Sequence, residues 1–312
     1  MKDKTNFLTS IWGVVICSTI CCALWGSAFP GIKVGYLLFD ISAEAINSQI
    51  LFAGVRFIIA GAVTILIASL INKKFVVPKK TSWNMIGILC AFQTVIQYLF
   101  FYIGLAYASG VKSSIIHGSY VFWAILIACF VFKQENMTNK KLLGCLLGFI
   151  GVVLVNWSPG GMDLGMKWYG EGFILLAAIC YAIASVLTKD FSMKENAMVL
   201  SGYQFIMGGF IMAAVGLLLG GRLLLTSLPA LAMLVYLGAV SAVAYALWAI
   251  LLKYNLVSRV AVYGFMNPVF GVLFSAMFLK EGGQEFGIKV LVALLLVCIG
   301  IFVVNREKTG TV

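Results

Sequence analysis

The amino-acid sequence repeats itself. Trp25 and Lys33 lie eight residues apart, and Tyr181 and Lys189 keep that spacing 156 residues on. Arg56-Phe57-Ile58-Ile59-Ala60-Gly61 is echoed 148 residues on by Gln204-Phe205-Ile206-Met207-Gly208-Gly209. Phe132-Lys133-Gln134-Glu135 recurs 146 on as Phe278-Leu279-Lys280-Glu281. Gly151-Val152-Val153-Leu154-Val155-Asn156 recurs 149 on as Gly300-Ile301-Phe302-Val303-Val304-Asn305. Four echoes in one order at a near-constant offset mark a duplicated unit. Its copies cover residues 1–157 and 168–305, with a short tail at 306–312.

The solvent of that unit follows from its apolar runs. The chain is 62% hydrophobic and 11% charged, against about 45–50% and 25% in soluble domains. Such a chain has too few polar residues to cover its own surface in water, so the expected solvent is a bilayer. Spans of about 20 apolar residues are expected at 11–30, 48–71, 84–107, 113–132, 141–157, 170–188, 199–220, 230–252, 259–279 and 286–305. Ten spans make five per copy. An odd-numbered unit, duplicated, enters the bilayer in opposite senses, as in many secondary transporters. The fold class expected is an all-α membrane protein of two inverted five-helix repeats. Spans three and four, and eight and nine, are joined tightly at 108–112 and 255–258. Trp12, Trp83, Trp157, Trp168 and Tyr169 fit an aromatic belt.

The charge of +11 sits in short loops, which is the pattern of topology signals and not of nucleic-acid binding. With the N-terminus inside, fifteen Lys and Arg residues fall on the cytoplasmic side and six outside. Lys73-Lys74 and Lys79-Lys80 carry most of the bias. Both termini are therefore expected in the cytoplasm of a multi-pass protein of the plasma or inner membrane. The eight cysteines lie inside apolar segments without metal-ligand spacing to histidine, and read as reduced packing residues. Pro30 and Lys33 follow the first apolar run where a cleavable signal would need small residues. Gly144, Gly148 and Gly151, and Gly216 and Gly220, read as close-packing faces.

All eleven acidic residues fall in loops or at span ends. This lowers the weight of a cation antiporter, which ordinarily needs a buried carboxylate. Two ionisable groups lie within spans. Arg56, placed about two turns in, reads either as a docking charge for a substrate carboxylate or as a structural arginine on backbone carbonyls or the rim. His117, the only histidine, reads as a proton carrier or as a hydrogen-bonded bundle residue. Gln93 and Gln97 share one helical face, and Tyr98 and Tyr102 another. Ser241, Tyr245 and Trp248 fall on one face of span eight. Tyr263 and Asn267 precede Pro268, whose kink has no counterpart at the matching Phe122.

These residues resemble the ten-span EamA-type members of the drug/metabolite transporter superfamily. The likeness rests on Trp25-Gly26-Ser27-Ala28-Phe29 with Lys33, on Arg56-Phe57, on Asn267-Pro268-Val269-Phe270 closing with Leu279-Lys280-Glu281, and on the glycine-rich last span of each half. It covers about residues 11–305. It implies two inverted repeats around a central cavity, alternating access, and traffic in small metabolites such as amino acids. The expected cavity residues are Trp25, Gln93, Gln97, His117, Tyr120, Tyr181, Tyr245, Trp248, Tyr263 and Asn267, with Trp25 and Tyr181 facing each other. Gly26, Gly31 and Pro268 are the expected flex points, and Arg56 and His117 the groups with a charge or proton role. No cofactor, catalytic residue, metal or nucleotide is expected. The expected partners are a small-molecule substrate and the lipid bilayer.

Two rivals stand beside an exporter or exchanger of metabolites. A lipid-handling carrier, or one for other small amphiphiles, stays open because a lateral groove need not be strongly polar. An intramembrane enzyme would need a nucleophile element, a HExxH or paired membrane aspartates, and the chain has none of these. Ser109-Gly110-Val111-Lys112-Ser113 lacks the upstream glycine of a phosphate loop.

Overall fold

The computed structural model describes residues 7–108, 110–155, 167–279 and 286–306; of these, the side chains at 110–112, 155, 279, 286, 287, 289 and 290 are left aside. Trp157, Ser109, Asp163, Lys280, Glu281, Glu285 and the chain ends, including Lys2, Asp3, Lys4, Glu307 and Lys308, lie outside the described residues. Among the described residues the regular structure is helical. Eight helices are long and apolar enough to cross a bilayer. They are α1 (Ile11–Leu38), α2 (Ile46–Asn72), α3 (Lys80–Tyr107), α4 (Ser113–Val131), α6 (Trp168–Lys194), α7 (Ala197–Leu218), α8 (Leu228–Tyr254) and α9 (Val257–Phe278). Two more apolar helices fall where spans five and ten are expected: α5 (Asn139–Val155) and α10 (Phe286–Asn305). The 17 residues of α5 reach about 26 Å at 1.5 Å each, close to the bilayer core.

Side-chain hydrogen bonds start several helices: Ser10 accepts from the Gly13 N–H, Asn196 from Met198 and Ser227 from Ala230. Such caps satisfy donors that the first helical turn leaves open. Between elements, glycine sets the packing. A Cβ on Gly61 would stand 2.6 Å from the Gly202 carbonyl oxygen, and one on Gly209 2.7 Å from that of Gly54. Positions therefore rise along α2 as they fall along α7, so the two helices run antiparallel. Gly144 and Gly300 give α5 and α10 the same reciprocal approach, at 2.6 and 2.5 Å. Gly148 admits the Phe265 ring, and Gly151 the chain at Ala293 and Val297. The helices that pack most closely are thus the matching members of the two copies. Phe57 and its match Phe205 stack at the α2–α7 crossing, with centroids 5.2 Å apart and planes 2° from parallel.

Several expectations change. Span one does not stop at residue 30. Pro30 lies inside a helix that continues to Leu38, which places Lys33 in α1 and not in an outer loop. Gly220 is no packing face, since it follows α7 at φ +86° with nothing within 4 Å of its Cβ position. Span four, too, is interrupted, a few residues before Phe122. Span four breaks between Gly118 and Tyr120, where Ser119 Oγ donates to the Ile116 carbonyl at 2.6 Å. Span nine tightens into a 3₁₀ turn over Val262–Phe265, which ends three residues before Pro268. Pro268 has no N–H for the Gly264 carbonyl four residues back. Both halves are interrupted near the same place by different chemistry.

Large apolar side chains such as Leu37, Leu70, Phe210 and Leu218 are exposed, as a lipid-facing surface requires. Trp12, Trp83, Trp168 and Tyr169 are exposed near helix ends. Seven cysteines are buried, Cys298 is exposed, and none of the eight is in a disulfide. Cys21 and Cys22 donate to the Ala244 and Tyr263 carbonyls at 3.4 and 3.2 Å.

Candidate functional site

Mid-helix aromatic residues of α1, α3, α4, α6 and α8 meet in one cluster. Trp25 is the fifteenth residue of α1, with 28, and Tyr181 the fourteenth of α6, with 27. Trp25 packs edge-on against Tyr245 at 5.0 Å and Trp248 at 5.1 Å. Tyr245 continues to Tyr181 at 6.4 Å, and Tyr181 to Tyr120 at 4.7 Å. His117 closes the group at 5.8 Å from Tyr120 and 6.4 Å from Tyr181. Six of the ten residues expected in the cavity are therefore linked ring to ring. Trp25 and Tyr181 do not face each other directly; each packs on Tyr245. Edge-to-face contacts of this kind hold rings in defined orientations.

The remaining four behave differently. Gln93 lies in a π-helical turn over Cys90–Val95. Gln93 is buried there. Gln97 is buried, and its Oε1 has no hydrogen-bond partner. Tyr263 is buried in the 3₁₀ turn, and its electrostatic neighbours are Arg259, Cys22 and Cys298. Asn267 Oδ1 is buried without a partner. Two of the three expected flex points, Gly26 and Gly31, lie in close packing contacts. Gly26 lies against Phe270 and Gly271, and Gly31 against Leu237 and Tyr236.

Arg56 sits at the edge of this cluster, deeper than expected. It is the eleventh residue of α2, about 15 Å from the helix start. It is 4% exposed. Its electrostatic neighbours are the phenols of Tyr102, Tyr98, Tyr36 and Tyr245, and its guanidinium carbon lies 4.7 Å from the Phe57 ring centre. The Tyr98 and Tyr245 hydroxyls meet at 3.0 Å. The match of Arg56, Gln204, accepts from Thr94 Oγ1 at 2.7 Å while its Nε2 has no partner. His117 has aromatic neighbours, Phe101 among them at 5.3 Å, and among the described residues no carboxylate pairs with it.

Sequence reasoning passed over Tyr36, read Phe57 and Phe205 only as part of the repeated run, and left Tyr98 outside the set. A signal for Tyr98 existed: Tyr98 and Tyr245 are 147 residues apart, the repeat offset. It also passed over a polar cluster at the helix ends, where Glu135 was read only as a loop acid. Glu135 is buried, accepts from the Ser258 N–H at 3.0 Å and from Ser258 Oγ, and pairs with Lys141 Nζ at 2.8 Å. Nearby, Gln134 donates to Asp190 at 2.7 Å, and Lys189 to the Asn255 carbonyl at 2.5 Å. The Glu135–Ser258 and Gln134–Asp190 contacts tie the first copy to the second at that end. The carboxylates among the described residues stay toward helix ends or in connections. No group of three His, Cys, Asp or Glu residues able to hold a metal occurs among the described residues.

A bundle of apolar helices with buried polar and aromatic groups at mid-depth defines a multi-pass α-helical membrane protein. The family model of the EamA-like transporter family matches residues 11–157 and again 168–306. The chain belongs to the EamA-like transporter family. An uncharacterized transporter of Archaeoglobus fulgidus is 26% identical over 95% of this chain and 99% of its own. An uncharacterized Bacillus subtilis transporter is 24% identical over 91% and 89%. A WAT1-related chloroplastic protein of Arabidopsis thaliana is 24% identical over 90% of this chain and 66% of its own length. One solved crystal structure superposes with a TM-score of 0.77 over 94% of this chain and 96% of its own, at 18% identity. At that identity the likeness shows a shared fold.

Proposed function

We propose that the chain is a secondary carrier, an exporter or exchanger, of small metabolites such as amino acids or related compounds. The observation that carries this reading is the antiparallel packing of matching helices, α2 on α7 and α5 on α10, beside a mid-depth aromatic cluster drawn from both copies. In this reading α1–α5 and α6–α10 are two inverted five-helix repeats, and all ten helices cross the membrane with both termini in the cytoplasm. Rocking of one repeat against the other exposes the cluster to each side in turn. The interruptions at Ser119 and at Val262–Phe265 supply bending points. The Glu135–Ser258 and Gln134–Asp190 contacts hold the cytoplasmic ends together in one of the two states.

The substrate meets Trp25, Tyr120, Tyr181, Tyr245 and Trp248, whose rings offer apolar faces and polar tips. No mid-depth carboxylate is available for ion coupling among the described residues, so transport is uncoupled or by exchange, with His117 the one proton candidate. The test is flux of radiolabelled amino acids and related metabolites into liposomes carrying the purified protein. Expected is saturable uptake, accelerated by substrate loaded inside. Flux equal to that of protein-free vesicles across the whole panel refutes the reading.

A further inference from the structure

We infer that Arg56 and the phenols around it dock the carboxylate of the transported molecule, which makes the substrate class small organic carboxylates with an apolar body. The inference rests on the carrier reading and adds the chemical group that the site selects. Arg56 carries a permanent charge at 4% exposure. Two bland roles are open to such an arginine, and the geometry supports neither. It lies about 15 Å into α2, too deep for its side chain to reach the rim from which it entered. No hydrogen bond from its guanidinium to a carbonyl or carboxylate is found among the described residues, and its Nε has no partner.

What does surround it is neutral. Tyr102, Tyr98, Tyr36 and Tyr245 are its electrostatic neighbours, with Tyr98 within hydrogen-bonding reach of the guanidinium and Tyr36 beside Tyr102. Phe57 offers a ring face at 4.7 Å. Phenols and a ring face moderate a buried cation but do not neutralise it. An entering anion does. A planar carboxylate matches the guanidinium fork, and phenol O–H groups can complete its lone pairs. One fixed positive charge suits one negative charge. A phosphate dianion would bring a second charge that no buried cation beside Arg56 balances.

The geometry also says what the rest of the molecule meets. Tyr245 is shared between the arginine's surroundings and the cluster of Trp25, Trp248 and Tyr181. A carboxylate held at Arg56 therefore points its body at aromatic rings. A cationic solute would find a like charge and no acid partner.

The experiment is thermal unfolding of the purified full chain in detergent, titrated with phenylacetate, phenylacetamide, phenethylamine, propionate and inorganic phosphate. Ligand binding to the folded state raises Tm saturably. Phenylacetate is expected to do so, propionate more weakly, and the other three not. Arg56→Gln should abolish the rise, and Arg56→Lys should keep it at an affinity lower by about tenfold or more, because the bidentate geometry is lost. Equal stabilisation by phenylacetate and phenylacetamide, by phenylacetate and phosphate, or by none of the five overturns the inference. So does an Arg56→Gln protein that binds phenylacetate like wild type. If Arg56→Gln does not fold, Tyr36→Phe and Tyr102→Phe replace it; weaker phenylacetate binding in either supports the site, and unchanged affinity in both overturns it. Liposomes separate the two readings. Flux that is indifferent to a carboxylate leaves the carrier standing without this site, and no flux for any solute removes both.

Discussion

Among the described residues, some buried charges are met by an opposite charge or several donors, whereas Arg56 is met by no carboxylate. Glu135 is answered by Lys141 and by both donors of Ser258. Glu195, in the connection between α6 and α7, is answered by the Lys79 N–H at 3.0 Å, Ser82 Oγ at 2.7 Å and the Asn196 N–H at 2.8 Å. Burial alone would raise the Glu195 carboxyl, but those hydrogen bonds and the Lys79 charge hold it below its ordinary value of 4.5. The sign follows: a depressed folded value stabilises fully above pH 4.5, and that stability is lost as pH falls through the folded value. Thermal unfolding of wild type and Glu195→Gln from pH 7 to pH 3 checks this, the pH points spanning roughly the carboxylate range. The wild-type advantage is expected at neutral pH and should shrink on acidification; a constant difference contradicts it. Arg56 has the Tyr98 phenol within hydrogen-bonding reach but no carboxylate partner among the described residues, and its side chain is the residue-scale basis for expecting an anionic ligand. Its charge and its position in a span were legible in the sequence. The absence of any carbonyl or carboxylate partner was not, because that depends on neighbours from other helices.

At the scale of elements, helix spacing is set where backbone meets backbone. Gly61 of α2 and Gly202 of α7 leave no room for a methyl group, whereas Gly87 of α3 has nothing within 4 Å of its Cβ position. Gly61→Ala is expected to cost about 1–3 kcal/mol by forcing the helices apart. Gly87→Ala is expected to be neutral or to stabilise by up to about 1 kcal/mol through helix propensity. Thermal unfolding of the two variants in the same detergent tests the contrast; equal effects would mean that the α2–α7 approach does not hold the structure. Gly61 and Gly209 stood in the repeated run that marked the duplication, so their equivalence was readable. Their packing partners were not, since periodicity locates a face and not what it meets. The break at Ser119 was also hidden: Gly118-Ser119 carries no proline, and sequence comparison put Phe122 opposite Pro268.

For the whole molecule, antiparallel α2 and α7 place the end of α2 and the end of α7 at opposite faces. Lys74 and Arg222 lie just beyond those ends and are exposed. In a cysteine-free background, Arg222→Cys in intact cells should react with a membrane-impermeant maleimide, and Lys74→Cys only after lysis. Labelling of both, or the reverse pattern, contradicts the proposed orientation. This experiment also tests the duplication as an inverted pair without reference to any substrate.

Composition and spacing by themselves determined that this chain dissolves in a bilayer as apolar helices and that it consists of two matching halves. They could do so because lipid demands internally satisfied backbone, which in an apolar chain of this kind means helices, and because the echoes keep one offset. Only the tertiary structure decided which matches touch. It stacked Phe57 on Phe205 and joined Tyr98 to Tyr245. It left Gln93, Tyr263 and Asn267 outside the ring contacts and surrounded Arg56 with phenols. Those outcomes depend on helix rotation and on glycine contacts between segments over a hundred residues apart, neither of which a local pattern encodes.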